Sequence, residues 1–142
     1  MLPSAACSGQ AWGAPGAVLS VRTAAGWRCL LAAVMIAGLA FALRPLSAGQ
    51  GPENWFPNAD KLLHLWFFAL LWCLADRARL GSAWPRALGL LLFGGAIELA
   101  QGAFTATRGM SLADVLADAA GLGLGALLMR RFSRREPQEN GG

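Results

Sequence analysis

The sequence predicts an all-α protein, a four-helix transmembrane bundle with its N-terminus and C-terminus in the cytoplasm. The first indication is composition: of the 142 residues, 56% are hydrophobic and only 14% are charged, whereas soluble domains usually contain about 25% charged residues. The second is that the apolar residues gather in four runs, each close to the ~20 residues that a helix needs to cross a bilayer. The third is an uneven distribution of Lys and Arg, which predicts the orientation.

The four predicted helices cover about residues 27–43, 60–75, 86–104 and 112–129. The first has a charged residue only near its start, so it is typical of a plain membrane helix. The second follows Asn58, which is its predicted N-cap. In the other three runs, polar and charged residues stand among the apolar ones and need an explanation: Asp60, Lys61 and His64 in the second, Glu98 and Gln101 in the third, and Asp114 and Asp118 in the fourth.

The membrane domain is predicted to cover residues 27–129, with a short segment on each side. Residues 1–26 are rich in Ala, Gly and Ser without a sustained period, and they are predicted to be a disordered lead-in, or in part the product of a wrongly chosen start codon. Residues 130–142 have four arginines among their first six residues and end in a polar stretch that is predicted to be disordered in the cytoplasm.

The predicted orientation follows from the loops. Most basic residues fall on one side of the four crossings, which the positive-inside rule assigns to the cytoplasm. These are Arg22, Arg28, Arg77, Arg79, Arg86, Arg130, Arg131, Arg134 and Arg135. Only Arg44, Lys61 and Arg108 fall on the other side.

This orientation brings the unusual polar residues into one layer near the outer surface. Three pairs have helical spacings of three or four residues, so that each pair lies on one helix face. The pairs are Asp60 and His64, Glu98 and Gln101, and Asp114 and Asp118. Together with Lys61 and Arg108 they are the predicted ligand-binding residues of an outward-facing polar pocket.

Small residues on the fourth helix favour a tight pocket. Ala113, Ala117, Gly121 and Gly125 recur at intervals of four residues. Such a stripe allows two membrane helices to approach closely.

Several of these residues also have a purely structural interpretation. Ser111 and Asp114 have the spacing of a capping box, and His64 is compatible with a hydrogen-bonded structural role. Glu98 has no such explanation, because nearly two helical turns of apolar sequence come directly before it. Ionisable residues inside a membrane segment usually mark a site or a buried pair, and the expected partner of Glu98 is Arg108 or His64.

The polar residues, taken in order, resemble the VanZ-like family of small bacterial membrane proteins over roughly residues 57–129. The matching pattern is Asp60-Lys61-Leu62-Leu63-His64, Glu98-x-x-Gln101, Arg108-x-x-Ser111-x-x-Asp114, and then Gly121 and Gly125. The resemblance implies a multi-pass protein of the bacterial cytoplasmic (inner) membrane. The namesake of the family is linked to low-level resistance to the glycopeptide teicoplanin. This chain has Asp118 where the family commonly has Asn, which adds a negative charge to the pocket.

Three functional hypotheses follow, and they leave open whether the protein is an enzyme. The favoured one is an envelope protein whose pocket binds a lipid head group or a cell-wall precursor. The second is a membrane-embedded hydrolase or transferase, with His64 or Glu98 as general base, Arg108 as anion binder and Asp114 as a further catalytic candidate. The third is a structural bundle whose charges fix helix register.

No cofactor is predicted. A divalent metal held by His64, Glu98, Asp114 and Asp118 is kept as a minor variant of the enzyme hypothesis. The expected surroundings are the lipid bilayer, with no nucleic-acid partner because the arginines form no stripe with interleaved aromatics. The oligomeric state stays open.

Overall fold

The computed structural model describes residues 23–44, 51–104 and 111–133, and every regular element in these ranges is helical. The helices are α1 (Ala24–Ala42), α2 (Ala59–Arg77), α3 (Ala83–Phe104) and α4 (Leu112–Ser133). A single 3₁₀ turn, Pro52–Asn54, precedes α2. The prediction of an all-α fold with four helices is confirmed.

The helix ends differ from the predicted ones for local reasons. α1 begins at Ala24, inside the predicted lead-in, because the Thr23 hydroxyl accepts a hydrogen bond from the Gly26 amide at 3.1 Å. Asn58 does occupy the N-cap position of α2, but it caps nothing with its side chain. Its backbone is left-handed, with a φ of 63°, whereas a side-chain cap requires an extended residue.

Three helices, α1, α3 and α4, are long and apolar enough to cross a membrane. α2 is as long as α1, at 19 residues, but its composition differs because charged residues stand at both of its ends. Its middle is the best buried part of the described chain, with Phe68, Leu71 and Ala75 at 0% exposure. α2 is therefore the central helix of the bundle, and the apolar faces of the other three surround it.

The closest helix contact is between α2 and α4, and glycines make it possible. A Cβ atom placed on Gly121 would collide with the backbone carbonyl of Leu65, and one placed on Gly125 would lie 2.7 Å from the Ala69 carbonyl oxygen. Neither neighbour is a flexible side-chain end that could move aside. The predicted small-residue stripe therefore does bring two backbones together at Gly121 and Gly125.

The turn between α2 and α3 is closed by one arginine. The Arg86 guanidinium donates to the carbonyls of Leu80 at 3.2 Å and Gly81 at 3.0 Å, and it forms an ion pair with Asp76. It also lies over the ring of Trp72, 5.1 Å from the ring centroid. This end of the bundle thus has its own polar contacts, separate from the acidic residues at the opposite end.

Candidate functional site

The start of α2, the last turns of α3 and the start of α4 meet at one end of the bundle. Three acidic residues are buried there, with exposures of 1% for Glu98, 8% for Asp114 and 1% for Asp118. The imidazole of His64 lies among them with its side chain 19% exposed. We call these four residues the acidic cluster.

His64 connects two of the carboxylates. Its Nδ1 is 2.8 Å from Oδ1 of Asp118, a hydrogen bond across the α2–α4 contact. Its Nε2 lies 3.7 Å from Oε1 of Glu98 on α3, which is beyond hydrogen-bond distance. Asp118 therefore fixes the ring orientation and directs Nε2 toward Glu98.

Ser111 is the N-cap of α4, and residues of both α3 and α4 form hydrogen bonds with it. The Ser111 hydroxyl accepts from the Asp114 amide at 3.3 Å, as the predicted capping box requires. In a complete box the Asp114 carboxylate would accept from the Ser111 amide. Here Oε2 of Glu98, from α3, accepts that amide at 3.0 Å instead. The Asp114 carboxylate is consequently released from capping.

Asp114 lies next to an ion pair at the rim. The Lys61 ammonium is 2.8 Å from Oδ2 of Asp60 and 3.7 Å from Oδ1 of Asp114. The Lys61 side chain is 36% exposed, so this pair contributes at most about 1 kcal/mol after solvent screening. Lys61 places one positive charge beside the acidic cluster without entering it.

Three carboxylate oxygens of the cluster are buried and, within the described ranges, have no hydrogen-bond partner. They are Oε1 of Glu98, Oδ1 of Asp114 and Oδ2 of Asp118. Buried polar atoms are normally hydrogen-bonded, and each unpaired one costs about 1–3 kcal/mol, more when charged. Burial of these three oxygens therefore lowers the stability of the fold unless another group binds them.

A cavity of about 530 Å³ opens beside the acidic cluster. Its polar end is formed by Asp60, His64, Gln101, Ser111 and Asp114. Its apolar wall is formed largely by Val34, Ala37, Gly38, Phe41, Leu63 and Phe67. The cavity thus joins charged groups at one end to hydrocarbon surface at the other.

Most predicted site residues come together in this region, with two qualifications. Gln101 is buried and lines the cavity, but its amide also donates to the Ala42 carbonyl at 3.2 Å, which ties α3 to the end of α1. Arg108, the predicted anion binder, lies outside the described residues. Of the two expected partners of Glu98, His64 is its neighbour at 3.7 Å.

Two contributions were missed from the sequence. The sequence predicts a plain membrane helix for α1, yet α1 also supplies much of the apolar wall of the cavity. Gly94 of α3 leaves room for Asp118, because a Cβ at Gly94 would collide with the Asp118 carboxylate. The only sequence signal for this contact is a glycine inside an apolar helix, and such a glycine has no unique partner.

Comparison with protein-family models, with curated proteins and with solved structures finds no match for this chain. The VanZ-like resemblance therefore depends on the residue pattern alone. The functional argument has to come from the geometry of the acidic cluster and the cavity.

Proposed function

We propose that this chain is a VanZ-like integral membrane protein that binds an amphiphile, a lipid head group or a lipid-linked cell-wall precursor, in the cavity beside the acidic cluster. The observation that carries the proposal is the division of this cavity into a charged end and an apolar wall. Its volume of about 530 Å³ is within the range of about 300–1,000 Å³ typical of small-molecule sites.

The apolar wall favours an amphiphile over a water-soluble ligand. α1 contributes Val34, Ala37 and Phe41 to this wall, and Phe67 of α2 lies across from them. A fully polar ligand would leave these groups against polar surface, whereas a lipid chain would bury apolar area worth about 25 cal/mol per Å². The polar groups at the other end would then select the head group.

We further propose that all four helices cross the bacterial cytoplasmic membrane, with both termini in the cytoplasm and the acidic cluster toward the outside. The support is the positive-inside rule, since arginines flank the end of the bundle that holds the α2–α3 turn. In a background with the native cysteines replaced by serine, Ser82→Cys should react with a membrane-impermeant thiol reagent only after lysis. Trp55→Cys should react in intact cells, and the reverse pattern contradicts this orientation.

Bound lipid tests the binding proposal directly. Native mass spectrometry of the detergent-purified protein should show a co-purified lipid species. Ala37→Phe places a bulky ring in the cavity and should reduce this species strongly. Ile36→Phe is the matched control, because Ile36 is on the same helix and is 68% exposed; the proposal fails if the two variants carry equal lipid.

A role in the cell envelope is tested by antibiotic susceptibility. Expression of the protein in a susceptible bacterium should lower its sensitivity to teicoplanin, and Ala37→Phe should abolish this effect while Ile36→Phe retains it. Equal protection by the two variants would show that the resistance phenotype does not depend on the cavity.

One observation favours a second candidate function, that of a membrane-embedded hydrolase or transferase. The Asp118 carboxylate holds the His64 imidazole through Nδ1, as a carboxylate does in catalytic dyads, and Nε2 is then available to take a proton. If this is the function, His64→Gln should abolish the teicoplanin effect while the co-purified lipid stays at the wild-type level. A parallel loss of lipid and phenotype supports binding alone.

A further inference from the structure

We propose that His64, Glu98 and Asp114 bind one divalent cation, with Zn²⁺ as the best fit, and that Asp118 is the residue that orients His64 for this role. The inference goes beyond the proposed function, because it concerns the acidic cluster itself and does not depend on an amphiphile. It also gives the unpaired carboxylate oxygens a partner.

The three side chains are close enough to share one ion. Each offers a ligand atom, and these atoms all lie within 4.8 Å of one another. Nε2 of His64 and Oε1 of Glu98 are 3.7 Å apart. Nitrogen and oxygen ligands about 2.0–2.2 Å from one zinc ion are about 3–3.5 Å apart, so small side-chain movements are enough to form the site.

Each of the three side chains keeps an atom that could bind a metal ion. His64 uses Nδ1 on Asp118, and Glu98 uses Oε2 on the Ser111 amide. Asp114 is released from capping by Glu98. The remaining Oε1 of Glu98 and Oδ1 of Asp114 are buried atoms without a hydrogen-bond partner in the described ranges. Both residues are more than nine-tenths buried, at 1% and 8% exposure.

The charges of the cluster also call for a cation. Three carboxylates, on Glu98, Asp114 and Asp118, are buried with a single imidazole. Lys61 remains at the rim, 3.7 Å from Asp114. Ionised carboxylates are expensive to bury in a membrane helix bundle, and a divalent ion would neutralise two of the three negative charges.

The ligand set and its support favour zinc. Imidazole suits Zn²⁺, and carboxylate oxygens complete many zinc sites. A metal-bound histidine almost always donates its other ring N–H to a carboxylate or carbonyl, and the bond from His64 to Asp118 has this form. Since His64 and Asp114 line the cavity, a fourth ligand could come from that side.

Metal titration of the wild-type protein is the decisive test. The protein is purified in detergent with its affinity tag removed, stripped with a chelator, and titrated with Zn²⁺ alone by calorimetry. We expect saturation at one Zn²⁺ per chain and a rise in the thermal unfolding midpoint when Zn²⁺ is added. Absence of saturable binding overturns the proposal, whatever the variants do.

Variants then identify the ligands. His64→Gln, Glu98→Gln and Asp114→Asn should each weaken Zn²⁺ binding by more than 100-fold, and Asp118→Asn should weaken it by about 10–100-fold, as expected of an orienting partner. Asp76→Asn is the matched control, a carboxylate on the same helix as His64 but at the opposite end of the bundle, and it should retain wild-type affinity. Binding of one Zn²⁺ that survives all three ligand substitutions overturns the site.

The two proposals can fail separately. Ala37→Phe should lose the co-purified lipid and keep its Zn²⁺ affinity, because Ala37 is on the apolar wall. Loss of Zn²⁺ binding in this variant contradicts the assignment of the metal to the acidic cluster.

Discussion

Gly121 should be one of the least replaceable residues of the fold. A Cβ at this position would lie 3.0 Å from the Leu65 carbonyl carbon and closer still to its oxygen. Carbon atoms pack at about 3.5–4.0 Å, and the carbonyl oxygen is nearer than the carbon, so Gly121→Ala must push α2 and α4 apart by at least about 0.5 Å. The same movement would stretch the hydrogen bond from His64 to Asp118, now 2.8 Å long, past the ~3.2 Å limit of a good hydrogen bond.

The expected cost follows from these two effects. Overpacking of this kind costs about 1–3 kcal/mol, and weakening a hydrogen bond to a charged group adds about 1 kcal/mol or more. Gly123→Ala is the matched control, because Gly123 is exposed and a Cβ there has no neighbour within 4 Å. Both variants gain about 1 kcal/mol of helix propensity, so this gain cancels in the comparison.

The assay is thermal unfolding in detergent, followed by circular dichroism in the presence of a chelator. Gly121→Ala should be about 2–4 kcal/mol less stable than Gly123→Ala. If the two variants unfold alike, the α2–α4 contact is not as close as described, and the position of His64 against Asp118 loses its explanation.

Two further predictions use the same measurement. Gly94→Ala directs a methyl group against the Asp118 carboxylate, whereas the new methyl group of Gly95→Ala has no neighbour within 4 Å. Gly94→Ala should therefore be about 1–3 kcal/mol less stable than Gly95→Ala. Equal stability would mean that Gly94 does not make room for Asp118. Arg86→Gln removes the guanidinium that closes the α2–α3 turn and should cost about 1–3 kcal/mol while co-purified lipid and Zn²⁺ affinity stay unchanged. A loss of either ligand would contradict the separation of the two polar ends.

Much of the site could be predicted from the sequence because helical spacing is periodic. Asp114 and Asp118 had to share a face of α4, and Glu98 and Gln101 a face of α3. Topology then assigned these faces to one end of the bundle. The structure brings Glu98, His64 and Asp118 together there, as this reasoning requires.

The pairing within the cluster could not be predicted in the same way. Spacing does not define how far each helix is rotated about its own axis or how deeply it is set. These quantities are fixed by contacts such as Gly121 against Leu65, and they decide that His64 bonds to Asp118. They also decide that Glu98 caps α4 through the Ser111 amide, a contact between two helices that local capping patterns do not contain.

The apolar wall of the cavity escaped prediction for a related reason. α1 has no polar residue within its apolar run that would distinguish one helix face from another. Its sequence therefore does not show which face contacts lipid and which face lines the cavity. Ala37 and Ile36 are neighbours in the chain, yet only Ala37 lines the cavity.

The central claim is that the acidic cluster is a site rather than a device for fixing helix register. The most direct measurement is the thermal unfolding midpoint of Glu98→Gln against wild type, with chelator and then with added Zn²⁺. Gln keeps an oxygen that can accept from the Ser111 amide while removing one of three buried negative charges. We predict a midpoint equal to or above wild type in chelator and no rise with Zn²⁺. A midpoint clearly below wild type in chelator would show that the Glu98 charge holds the bundle together and would contradict the account.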